Sequence, residues 1–341
     1  MSTDNLSKLK TYTAEELLAT RFRPREPVIE PWLRTEETAV IWAPSGVGKT
    51  LLCLSLALAV AGGGTVADWT APKARKVLYI DGEMNQQDIR DRIEMLVSSG
   101  AVELPDPKIA LRNLEIIARQ AQEVGTEFFD ITEEETQNGI LKRARAGDVE
   151  LIILDNFTTL SDSLEDENAS SEFKRVQDFF LQMKRAGIAT ILVHHANKGG
   201  KGMRGSTALE TTFEVILGLQ RPKVVAPGEA CFHTNFTKFR GKGDHRLESR
   251  KWTLGDKGWE VSDSEPDNPE EDPVYIALKT LDFVNQNEIA EKLGINKGTV
   301  SRRLSKLKEQ GVLKDREVDE AFQSAKKLRD EKLYADVDEE F

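Results

Sequence analysis

The chain has 341 residues, 39% hydrophobic and 31% charged, enough apolar material for a sizeable core and for about two domains of roughly 150 residues each. Its 58 acids outnumber its 47 bases, giving a formal net charge of −11, which excludes a protein that coats nucleic acid by bulk attraction. The longest apolar run, residues 51–61, is too short to span a bilayer, and the polar N-terminus has no signal-peptide core, so no membrane contact is expected. Neither Cys53 nor Cys231 sits in a CxxC or Cys/His ligand pattern, and both read as reduced, buried thiols of a cytoplasmic protein.

Residues 1–27 are polar and form an N-terminal arm. Within it Thr13 and Glu16 have the spacing of a capping box that starts a short helix. The arm is either a frayed tail or a segment that docks on a neighbouring subunit. Residues 38–42 are an apolar strand. The loop Ala43-Pro44-Ser45-Gly46-Val47-Gly48-Lys49-Thr50 follows, and then the apolar helix 51–61. Strand, glycine-bearing loop, Gly-Lys-Thr and helix make the context of a phosphate-binding P-loop. Pro44, Ser45, Gly46, Val47, Gly48, Lys49, Thr50 and Leu51 are therefore expected to hold a nucleotide, with Lys49 on the β- and γ-phosphates and Thr50 on Mg²⁺. The usual first glycine is Ala43, the smallest replacement.

Strands are expected at 76–80, 114–118, 150–156 and 188–193, with helices at 86–97, 132–146 and 173–185 between them. This alternation predicts an α/β fold with a doubly wound, mainly parallel sheet, whose ligands meet the C-terminal strand edges. Asp155 ends the apolar run 151–154 and is expected to hold Mg²⁺ through its water shell. Glu83, just past the strand 76–80, is the candidate general base, with Asp81 the weaker choice. His194 and His195 end the strand 188–193, and His195 is placed to sense the γ-phosphate. The glycine-rich loop 197–206 carries Lys198, Lys201 and Arg204, suited to tracking a nucleic-acid backbone. Lys238 and Arg240, two apart at the end of a strand over 231–239, share a face. A hairpin over 250–254 and 258–261 closes the sheet.

Residues 262–273 hold six acids, no bases and three prolines, the composition of a linker. Beyond it, 273–281, 286–293 and 297–310 read as three short helices of a helix-turn-helix module, with 311–314 as a small wing strand. Lys297, Arg302, Arg303 and Lys306 give its second helix a basic face for DNA. The tail 316–341 reads as a loose, charged helix.

These motifs carry a resemblance. APSGVGKT (43–50), YIDGEM (79–84), LIILDN (151–156), VHHANKGGKGMRGS (193–206) and TKFRG (237–241) resemble, in order, the RecA-superfamily ATPases of the RepA-type and DnaB-like hexameric helicase branch. The resemblance covers 28–261 and implies a RecA-like fold, Glu83 as catalytic base and His195 as the polar residue after the Mg²⁺ aspartate. It also implies that Lys238 and Arg240 complete the site of a neighbouring subunit, in a homo-oligomer that is commonly a hexamer. ATP and Mg²⁺ are the implied cofactors. Single-stranded DNA in the ring channel, duplex DNA at the winged helix, and a replication initiator or primase are the implied partners. The expected function is a DNA-stimulated ATPase, a ring helicase replicating a plasmid, phage or mobile element. The alternative is an ATP-switched oligomeric DNA-binding regulator without unwinding activity.

Overall fold

The computed structural model describes residues 9–161, 170–197, 202–203, 207–222, 225, 228–263, 272–314 and 316–338. Its core is a nine-stranded sheet: β1 Thr38–Ala43, β2 Lys76–Asp81, β3 Leu114–Ala118, β4 Val149–Asp155, β5 Ala189–His195, β6 Val215–Gln220, β7 Cys231–Phe239, β8 Arg250–Gly255 and β9 Gly258–Asp263. The spatial order is β9-β8-β7-β6-β1-β5-β4-β2-β3. From β6 through β3 every pairing is parallel, whereas β6 to β9 pair antiparallel. The inner parallel strands are mainly apolar because helices cover both faces; β1 is buried along its whole length.

The helices in chain order are α1 Ala14–Ala19, α2 Lys49–Gly62, α3 Gln86–Ser98, α4 Pro107–Asn113, α5 Glu134–Ala146, α6 Ser170–Arg185 and α7 Thr207–Thr212. One apolar cluster lies between α2 and the sheet, joined by Trp32, Trp69, Trp252 and Trp259. The other packs α5 and α6 on the opposite face through Ile140, Phe179 and Phe180. Because α2 is apolar on every side, it is buried on every side. The indole Trp259 Nε1 donates to Ser55 Oγ at 2.9 Å, tying the last strand to that helix. Both cysteines are buried and free.

The capping box at Thr13 and Glu16 is present, and α1 buries no residue. Leu18 and Phe22 of the arm are largely exposed. The sequence reading missed α4, which Asp106 caps and Pro107 opens. It also missed two short ribbons, Pro27–Ile29 with Leu33–Arg34 and Thr65–Val66 with Trp69–Thr70.

The C-terminal unit consists of α8 Pro273–Thr280, α9 Gln286–Leu293, α10 Lys297–Glu309 and α11 Glu317–Asp338. It has its own apolar cluster, including Val274, Ile289, Val300, Leu304 and Leu307. The expected wing strand at 311–314 is not formed. Val312 and Leu313 instead donate their backbone N–H groups to Leu307 O at 2.9 and 3.1 Å, closing α10, and the Leu313 side chain is buried. Helix α11 is part of the unit: Val318 joins its core, and Arg329 binds Glu288 at 2.8 Å. The N-terminal end of α10 rests on the sheet domain, where Asn296 and Thr299 donate to the Glu248 carboxylate.

Candidate active site

A cleft of about 360 Å³ opens at the C-terminal edge of β1, β2, β4 and β5. It is lined by the P-loop, by Asp81, Glu83, Asp155, Asn156 and His195, and by Arg92 and Glu229. The sheet brings these residues together because parallel strands deliver all their C-terminal ends to one side.

The P-loop is shaped for an anion. Gly48 has φ +110°, and a Cβ there would lie 3.0 Å from that of Ala230, so glycine is required on both counts. No side chain caps α2, which leaves its first N–H groups to face a phosphate. Lys49 is buried, and burial lowers its pKa. Its Nζ donates to Ala43 O and Pro44 O, each at 3.1 Å.

Asp155 is buried, and burial pushes its carboxyl from 3.8 up to about 6. Tyr79 Oη donates to its Oδ2 at 2.6 Å, and the Thr50 hydroxyl hydrogen-bonds it as well. A buried carboxylate beside a hydroxyl is a hard-oxygen set that fits Mg²⁺, and a cation there would offset the cost of the buried charge.

That cost predicts a measurable effect. The folded carboxyl holds its proton more tightly than the unfolded one, so between about pH 4 and about 6 this group's contribution to stability falls as pH rises. In metal-free, nucleotide-free protein, Asp155→Asn should therefore gain about 3 kcal/mol at pH 8. The gain should shrink as pH falls through about 6 and vanish below about 4. Urea unfolding of both proteins across this range checks it, and a difference independent of pH would remove the burial argument.

Glu83 lies at the mouth of the cleft. Asn156 Nδ2 donates to Glu83 Oε2 at 2.7 Å, while Asn156 Oδ1 accepts from Thr159 N at 3.3 Å. These two partners fix the amide orientation, so Asn156 positions Glu83 (a role the sequence reading did not assign). A Cβ at Gly82 would fall 2.2 Å from Thr159 Oγ1, so glycine admits this close packing. Asp81 is spent structurally: its Oδ1 accepts from Glu83 N at 3.0 Å and Met84 N at 2.6 Å, which favours Glu83 as the base.

His195 lines the cleft, whereas His194 is fully buried with its ring edge-on to Phe157 at 5.0 Å. Lys238 and Arg240 do not line the cleft of their own chain. Lys238 Nζ binds Glu210 O, and Arg240, just past the end of β7, is exposed. Lys198, Lys201 and Arg204 lie outside the described residues, though Asn197 N donates to Gly202 O at 2.8 Å within their loop. On α10, Lys297 and Arg302 are exposed, Lys306 is half-buried, and Arg303 turns inward to Asp272 at 3.8 Å.

A family profile described as AAA domain matches residues 3–201. The chain belongs to the AAA domain family. A second profile, described as Winged helix-turn-helix DNA-binding, matches residues 283–314. No curated protein sequence matches the chain. Among solved structures it is similar to the KaiC-like protein PH0186 from Pyrococcus horikoshii OT3, at 17% identity and TM-score 0.49 over 69% of this chain and 93% of that one. It is also similar to the RadB recombinase, at 15% identity and TM-score 0.45 over 69% and 93%. The α/β core with its mainly parallel sheet and the C-terminal helix-turn-helix unit, both expected from the sequence, are present in this AAA domain protein. No helix among the described residues is long and apolar enough to cross a membrane.

Proposed function

We propose that this AAA domain protein hydrolyses ATP in a head-to-tail ring and moves on DNA as a RepA-like replicative helicase. The observation that carries the hydrolase reading is one cleft holding the P-loop, the Thr50–Asp155 pair and the Asn156-held Glu83. In it, loop N–H groups and Lys49 bind the phosphates, and Glu83 takes a proton from the attacking water. Thr50 and Asp155 would hold Mg²⁺, which would supply charge neutralisation to the phosphates. His195 contacts the γ-phosphate side, and Lys238 with Arg240 reaches the cleft of the next subunit. The ring reading rests on the motif order and on the place of Lys238 and Arg240 outside their own cleft. Lys198, Lys201 and Arg204 would track single strands, and Lys297, Arg302 and Lys306 would face duplex DNA, whereas Arg303 is turned to Asp272. An initiator or primase would be met through the C-terminal unit.

One observation favours the second reading, an ATP-switched DNA-binding regulator: α10 is hydrogen-bonded to the ATPase core itself. ATP turnover measured alone, with single strands and with duplex separates the two, with Lys49→Ala as the inactive control. Strong stimulation by single strands is the expected result. Stimulation by duplex alone, or none, would replace the helicase with the regulator.

A further inference from the structure

We propose that the ATPase core and duplex DNA compete for one face of the C-terminal unit, the N-terminal end of α10. The inference rests on reading that unit as a DNA binder. In helix-turn-helix modules the second helix enters the major groove and its N-terminal residues meet the base edges. Here that helix is α10, opened by Asn296 as its cap. Asn296, Thr299 and Arg302 stand three apart and so share one side of the helix. Asn, Thr and Arg are residue types that read base edges: Asn pairs with adenine, Arg with guanine, and Thr with several bases.

In the structure these groups are engaged by the core. Asn296 Nδ2 donates to Glu248 Oε1 at 2.7 Å. Thr299 Oγ1 lies 2.9 Å from Glu248 Oε1 and 2.7 Å from Oε2. Arg302 Nη1 lies 3.7 Å from Asp263 Oδ2, at the end of β9. The Asn296 amide oxygen accepts from Thr299 N at 2.8 Å, so capping uses its acceptor and directs its donors to Glu248. An anionic carboxylate thus takes the donors that phosphate or base acceptors would need. One donor set cannot serve both, so docking on the core and reading DNA exclude each other.

The contact is strong enough to matter and small enough to break. Hydrogen bonds to an ionised carboxylate are about twice as strong as neutral ones. Yet they are made by Glu248, from a half-buried position in the segment between β7 and β8, with Asp263 adding a longer ion pair.

The test uses the full chain, mixed-sequence duplex oligonucleotides and fluorescence anisotropy at one fixed salt concentration. Glu248→Ala should bind duplex about tenfold tighter than the unaltered protein. Glu260→Ala removes the same charge from an exposed site on β9 and serves as the control; it should stay within about twofold. Adding Arg302→Ala to Glu248→Ala should cancel the gain. Equal strengthening by Glu248→Ala and Glu260→Ala would reduce the effect to bulk charge and overturn the competition. Duplex binding by the unaltered protein without strengthening in Glu248→Ala would overturn the competition and leave the DNA reading standing. No duplex binding by any form would overturn the DNA reading, and the competition with it.

Discussion

Glu83→Gln is expected to lower ATP turnover by about 10²–10⁴-fold, the usual contribution of a positioned general base. Nucleotide affinity should change little, since in the proposed reading the loop and Lys49, rather than Glu83, hold the phosphates. Asn156 donates to Glu83, and a glutamine side chain still offers an acceptor there, so the geometry survives while the basicity is lost. Asp81 is a poorer substitute, because its Oδ1 already accepts from the backbone N–H groups of Glu83 and Met84. Steady-state turnover beside a fluorescent-nucleotide titration measures both quantities. Turnover within threefold of the unaltered protein would assign the base elsewhere.

Arg240→Ala is expected to cost about 10³–10⁵ in turnover of the assembled protein, the range for a cationic side chain that meets the transferring phosphoryl group. The residue is exposed beyond β7 and absent from its own chain's cleft, so its loss should act on the neighbour's site. Burial, and then the neighbouring Arg240, lower the pKa of Lys238 and mark two cations held close together. Mixing makes the test decisive. Lys49→Ala subunits lose the P-loop cation but keep Arg240; Arg240→Ala subunits keep the P-loop. In an equal mixture assembled head to tail, roughly one interface in four pairs an intact loop with an intact Arg240. Turnover should therefore reappear when two inactive proteins are mixed and re-assembled. A mixture as inactive as its parts would place Arg240 in its own chain's chemistry or in none.

The parts of the site that were legible in the sequence are those encoded in short runs. β1 passes directly into the P-loop and α2, and β4 ends in Asp155, so strand, turn and functional residue share a handful of positions. Glu83 was legible for the same reason, standing two residues beyond β2. Asn156 was not, because its partner lies 73 residues away and only the packing of β2 beside β4 brings them together. Arg92 was hidden on a polar helix that looks alike on every exposed side until α3 is set against the cleft. The wing failed for a different cause. Its residues are apolar enough for a strand, but Leu307 O captures two of their N–H groups and Leu313 is worth more in the core than on an edge. The tail was legible as a helix but not as part of the core, since Val318 and Phe322 complete an apolar cluster that three short helices leave open.

The two carbonyl contacts of Lys49 have a consequence for how the site fills. Its ammonium has already left bulk water and is steadied by Ala43 O and Pro44 O. An arriving triphosphate does not have to strip that charge of its hydration; it has only to take the place of two neutral acceptors. Occupancy is thus an exchange of partners inside a preformed cradle, with the side chain's rotamer entropy lost before the ligand arrives. A loop that holds its own cation in waiting discriminates against weak, singly charged anions, which offer little more than the carbonyls they would displace, and yields to a polyphosphate, which offers much more.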